Sequence, residues 1–193
     1  MVFFVELGIF VRTGPIAIDS SVARWFQTHR TNLEIDVATI INSATTPTIV
    51  AFGAVLLLLF RNYWNRSWHL DDFLPLAVVI FCGILSLLAT LAFDRVRPGS
   101  DLAIFFDFYP SFPSNRTVFV AAVGSAFLFI FEERRWLSIT AVLISTTVVS
   151  IADLALGNHW VTDIFGSILL TLGVVSVFNS FDLWLRDRER YSI

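Results

Sequence analysis

Five stretches of the chain, at 37–60, 73–93, 117–131, 136–152 and 164–181, contain no charged residue and are dominated by aliphatic and aromatic side chains. The apolar positions in these runs do not alternate and are not confined to one helical stripe, as expected for helices whose surroundings are apolar on every side. A membrane-spanning helix takes about 20 residues. The first two runs reach that length, and the other three must borrow polar residues at their ends. Thr45-Thr46-Pro47 is expected to kink the first span, with the Thr hydroxyls satisfying carbonyls that Pro47 leaves free. Upstream, Val22, Trp25 and Phe26 share a helical face while Asp19, Arg24 and Gln27 point elsewhere, a spacing that fits a short helix lying in the membrane interface or a partly ordered arm. The pattern predicts an all-α, polytopic membrane helix bundle of about five spans plus an N-terminal interfacial helix. No repeat or linker divides it, so residues 1–193 read as one membrane domain.

Composition agrees. Of 193 residues 56% are hydrophobic and 15% charged, too little charge to cover a soluble domain of this size. The first fifteen residues carry Glu6 and Arg12 and lack a basic start before an apolar run, so no removable leader is expected. Cys82 lies in an apolar run and reads as a small buried hydrophobe. The three His residues are scattered and no carboxylate cluster has ligand spacing, so neither a metal nor another cofactor is implied. No nucleic-acid partner is implied either.

Five spans sort the loops onto two sides. One side holds Arg61, Arg66, Arg134, Arg135, Arg186, Arg188 and Arg190, together with Trp64, Trp68, Trp136 and Trp184. The positive-inside rule makes it cytoplasmic, and the tryptophans form an aromatic belt there. The expected location is the plasma membrane, with the C-terminus in the cytoplasm. The opposite side holds the N-terminal segment and the loops at 94–116 and 153–163.

Those outer loops carry the polar chemistry. Asp94-Arg95-Val96-Arg97-Pro98 closes the second span, Ser111-Phe112-Pro113-Ser114-Asn115-Arg116 opens the third, Asp153 closes the fourth, and Gly157 to Asp163 opens the fifth. Ionisable groups at such depth are costly unless paired or hydrated, which makes them functional candidates. His159 and Asp163 lie four apart, so on one helix the carboxylate could accept the imidazole N–H and leave the other ring nitrogen as nucleophile or base. The same spacing also describes a helix-capping pair. Ser114, directly after Pro113 and before an apolar run, reads as a helix cap, and a helix N-terminus seats anions. Arg97 and Arg116 could add guanidinium contacts to a phosphate there, or snorkel to lipid headgroups.

These residues resemble the type-2 phosphatidic acid phosphatase superfamily of membrane lipid phosphatases. Arg97-Pro98 matches the end of its first motif, Phe112 to Thr117 resembles its second, and Gly157-Asn158-His159 through Asp163 to Gly166 resembles its third, within a similar core over residues 16–180. The resemblance implies that His159 attacks phosphorus to give a phosphohistidine, that Asp163 orients it, and that Arg97 and Ser114 bind phosphate, with Asn115 and Arg116 beside them. Arg95 and Asp153 are auxiliary candidates. Four positions depart from the family pattern: Thr90 stands for Lys, Asn115 for Gly, Arg116 for His and Asp153 for Arg. The missing His would protonate the leaving group, a role Arg116 cannot take because its guanidinium stays protonated. Asp101, Asp107, Tyr109 and Asp153 are the candidate replacements. Arg116 is further expected to supply the cation lost at position 153, with Asp153 paired to it or to His159.

The implied activity is that of a membrane phosphatase or phosphotransferase acting on a lipid or polyprenyl (di)phosphate at the extracytoplasmic face, with membrane lipids around it. The alternative is a catalytically impaired member that binds a phosphorylated lipid or serves as a membrane scaffold. A transport path would need ionisable residues in mid-span, and the five uncharged stretches have none.

Overall fold

A computed structural model describes residues 1–66, 73–99, 110–130 and 135–191, with the side chains of Trp64, Asn65 and the last described residues left aside. Trp68, Asp101, Asp107, Tyr109 and Arg134 lie outside the described residues, as do the side chains of Trp64 and Arg190. Every regular element among the described residues is a helix, with α1 at Val2–Val11, α2 at Ala17–His29, α3 at Asn32–Ala44, α4 at Pro47–Asn65, α5 at Leu74–Phe93, α6 at Asn115–Ile130, α7 at Arg135–Leu156 and α8 at Val161–Tyr191.

Apart from the break at Thr45-Thr46, the described residues of the five uncharged runs are helical, and each short run is lengthened by polar ends. Arg116 falls inside α6, Asp153 inside α7 and Asp163 inside α8. By length and composition α5, α7 and α8 can each cross a membrane, and α3 with α4, bent by 48° at the break between them, form a pair that counts as a fourth candidate if taken as one broken span. At 16 residues, α6 is shorter than a full span. The bend falls at Thr45-Thr46, where Pro47 starts a new helix and the Thr45 hydroxyl donates to the Ile41 carbonyl at 2.7 Å.

The helices are sorted with their small and polar residues inward. Helix α5 buries Val78, Cys82, Ser86, Ala89 and Thr90, and turns Ile80, Phe81, Ile84, Leu87, Leu88 and Leu91 outward. That is the expected arrangement where lipid is as apolar as the core and close packing decides the interface. Helix α2 forms where the interfacial helix was expected, with Trp25 more than half exposed and Phe26 packed on Ala38, Ala152, Ala155 and Leu156.

One aromatic cluster fixes the end of the bundle where the polar loops meet. Phe112, fully buried, stacks on Phe4 of α1 at 5.5 Å and meets Phe93 of α5 edge-on at 5.3 Å. Its ring lies against Gly166 of α8, where a Cβ would overlap it. The turn carrying Ser111 to Ser114 is thereby clamped between three helices. Gly166→Ala is expected to destabilise the protein by about 1–3 kcal/mol, because the clamped ring cannot move aside. Chemical unfolding in detergent micelles tests this; an unchanged midpoint would show that the ring is free to shift.

Candidate functional site

The first element of the site is a buried cation. Arg95, just past the C-terminus of α5, is only 1% exposed. Its Nη2 donates to Asp19 Oδ2 at 2.7 Å, and its Nη1 donates to Asp163 Oδ1 at 2.5 Å and to Thr162 Oγ1 at 2.7 Å. Asp19 in turn accepts from the Thr162 backbone N–H at 3.0 Å and from the Thr162 hydroxyl. Trp160 covers the guanidinium with its ring at 5.7 Å. Arg95 therefore ties the start of α2 to the start of α8, and both of its terminal nitrogens are occupied by protein carboxylates.

Asp163 is placed by helix geometry. Helix α8 begins at Val161, so Asp163 occupies its third position and its Oδ2 accepts the Trp160 N–H at 2.8 Å, as a capping carboxylate does. His159 consequently lies in the turn before α8 and not on the helix. This corrects the expectation that the two residues share a helical face. His159 Nδ1 sits 3.5 Å from Asp163 Oδ2 but 2.8 Å from the Ser111 carbonyl oxygen. A carbonyl only accepts, so Nδ1 carries the proton and the neutral ring has its lone pair on Nε2. The tautomer needed for a nucleophile is thus set mainly by Ser111, a residue sequence reasoning did not single out for that task.

Ser114 caps α6 as expected, its Oγ accepting the Thr117 N–H at 3.3 Å. The same hydroxyl donates to Asp153 Oδ2 at 3.2 Å. Asp153 is fully buried, and its Oδ1 forms an ion pair with Arg116 and accepts from Asn42 Nδ2 at 3.2 Å and Asn158 Nδ2 at 3.4 Å. Of the two partners expected for Asp153, it takes Arg116. Asn115 is tied to α5 by the Ser86 hydroxyl, and Thr90, at the Lys position, turns its hydroxyl back to the Ser86 carbonyl. Arg97 donates to the Asn158 carbonyl at 2.9 Å, next to His159. His159, Ser114, Arg116, Arg97 and Asp153 thus come together at one end of the bundle.

Two residues of this end were missed. Asp19 read as a solvent-facing position of an interfacial helix, and Asn42 as part of an uncharged span. Nothing local marks either, because their partners lie 76 and 111 residues away.

Breaking a buried pair leaves an uncompensated charge, so Asp19→Ala is expected to cost about 3–5 kcal/mol. Arg24→Ala on the exposed side of α2 should stay within about 0.5 kcal/mol. Unfolding midpoints in micelles measure both, and equal small losses would contradict the tie described for Arg95.

The PAP2 superfamily model matches residues 76–186, more than half of the chain. No curated protein matches it in sequence. Among solved structures the fold is similar to that described as the first transmembrane PAP2 type phosphatidylglycerolphosphate phosphatase from Bacillus subtilis, with a TM-score of 0.79, 21% sequence identity, and coverage of 94% of this chain and 92% of that one. The motif residues gathered at the site fall inside the matched segment. The chain belongs to the PAP2 superfamily: it is an integral membrane protein with a lipid-phosphatase fold, in the class of phosphoric ester hydrolases.

Proposed function

We propose that this protein cleaves or transfers the phosphoryl group of a lipid or polyprenyl (di)phosphate, with His159 as the nucleophile, at the extracytoplasmic face of the plasma membrane. The observation that carries this reading is the bond from His159 Nδ1 to the Ser111 carbonyl, which leaves the lone pair on Nε2. In the reaction Nε2 forms the bond to phosphorus, the bond from phosphorus to the leaving oxygen breaks, and water or another acceptor later takes the phosphoryl group from His159. Asp163 acts through the turn before α8, accepting the Trp160 N–H and pairing with Arg95, with its Oδ2 3.5 Å from His159 Nδ1. Ser114, Arg97 and Arg116, with Asn115 behind them, would hold the phosphate oxygens at the start of α6.

The leaving group must accept a proton or depart as a stable anion. Both oxygens of Asp153 are engaged by Arg116, Asn42, Asn158 and Ser114, which leaves neither turned toward a leaving group. Asp101, Asp107 and Tyr109 lie outside the described residues. A diphosphate or another activated donor needs least help from an acid, which favours that class of substrate. The engagement of Arg116 and Ser114 by Asp153 supports the second reading, a member without turnover that serves as a membrane scaffold or binds a phosphorylated lipid only when that pair opens.

Phosphate release from a panel of lipid and prenyl phosphates and diphosphates, measured in nanodiscs, separates the two. Turnover is expected for wild type, falling about a thousandfold or more in His159→Ala. Activity surviving that substitution would exclude His159 as nucleophile. Arg61, Arg66, Arg135, Arg186 and Arg188 at the far end of the bundle support a cytoplasmic C-terminus. A fluorescent protein fused there, which folds only in the cytoplasm, should be bright, and a dark fusion of normal abundance would reverse the orientation.

A further inference from the structure

Two of the groups that would hold a phosphate, Ser114 and Arg116, already hold an anion. Around the Asp153 carboxylate stand the Arg116 guanidinium, the Ser114 hydroxyl that caps α6, and the side-chain amides of Asn42 and Asn158. That is a hydroxyl, two amide donors and a guanidinium converging at a helix N-terminus, a donor set suited to an oxyanion. The seat also has capacity to spare. Among the described residues Arg116 Nε is buried without a partner. A carboxylate offers two oxygens where a phosphate offers three or four, so a phosphate has an oxygen to spare for Arg116 Nε.

We propose that Asp153 is a built-in competitor of the substrate phosphate: its carboxylate occupies the oxyanion seat formed by Ser114, Arg116, Asn42 and Asn158. A phosphate monoester or diphosphate binds fully only when the Asp153–Arg116 pair opens. The inference rests on reading this end as a phosphate site, but it concerns binding and not turnover. A second anion cannot share the seat, because two negative charges a few ångströms apart repel and Arg116 can neutralise only one of them. Asp153 therefore sets the affinity of the site and holds the resting protein in a phosphate-free arrangement.

The test is Asp153→Asn, which keeps the size and one acceptor oxygen but removes the charge. Binding of inorganic orthophosphate, and separately of a short-chain phosphatidate in micelles, is measured by calorimetry on the full-length protein. Affinity for at least one is expected to rise about tenfold or more over wild type. A rise for both marks the phosphate group itself as the ligand, and a rise for phosphatidate alone marks a lipid headgroup. Adding Arg116→Gln to Asp153→Asn should remove the gain. Unchanged or weaker binding in folded Asp153→Asn overturns the proposal, and so does a gain that survives Arg116→Gln. If Asp153→Asn does not fold in plain buffer, added phosphate should restore it by filling the vacated seat; failure to fold at high phosphate overturns the proposal equally. Wild-type turnover with no gain in Asp153→Asn refutes the competitor while leaving the enzyme reading intact, whereas no turnover and no phosphate binding in either protein removes both.

Discussion

A guanidinium buried from water must be paired, and the arrangement of this end of the bundle follows from how Arg95 meets that demand. Desolvating a charge costs several kcal/mol even after relaxation, so the group is held only where good geometry repays it. Arg95 has carboxylates on both terminal nitrogens, Asp19 from α2 and Asp163 from α8, with Thr162 bridging them. Helix α2 is thereby docked by its first turn, although its apolar contacts are few. The start of α8 is held in the same stroke, and the turn before it, with His159, has little freedom left.

From that constraint the rest of the site can be followed. Because Asp163 is spent on Arg95 and on capping α8, it does not serve as the main acceptor for His159. The Ser111 carbonyl does, and Ser111 is held in turn by its N–H donating to the Arg95 carbonyl at 2.7 Å. Arg95 thus governs the nucleophile candidate through backbone on one side and carboxylate on the other. The second ion pair, Arg116–Asp153, shares no side-chain partner with the Arg95 group and meets it through Ser114, whose N–H donates to the Asp163 carbonyl. It links α6 to α7 and decides what the cap of α6 holds. One pair builds the site and the other fills it.

Much of this was legible from sequence because it depends on local rules. Pro47 breaking a span, Ser114 capping a helix after Pro113, and polar residues extending the short apolar runs all rest on neighbours within a few positions. The pairing of Arg116 with Asp153 was also readable, since a carboxylate stands where the family pattern has an Arg and an Arg stands where it has a His, so the cation has moved from one position to the other. What could not be read depended on distant partners or on where a helix begins. Asp19 and Asn42 gain their roles only through α8, the loop after α5, and α7. His159 looked like a helical neighbour of Asp163, but a capping carboxylate three residues into α8 places the imidazole outside the helix. Periodicity cannot locate a boundary that closely.

The identity of the nucleophile is the centre of the functional reading, and covalent trapping addresses it without relying on loss of function. A substrate carrying labelled phosphate at its reacting end, quenched during turnover, should leave an acid-labile, base-stable phosphoryl group on the protein. Peptide mass spectrometry should place it on His159 Nε2. Turnover with no label on His159, or with label on another side chain, would contradict the reading of this end as a histidine-centred phosphoryl-transfer site.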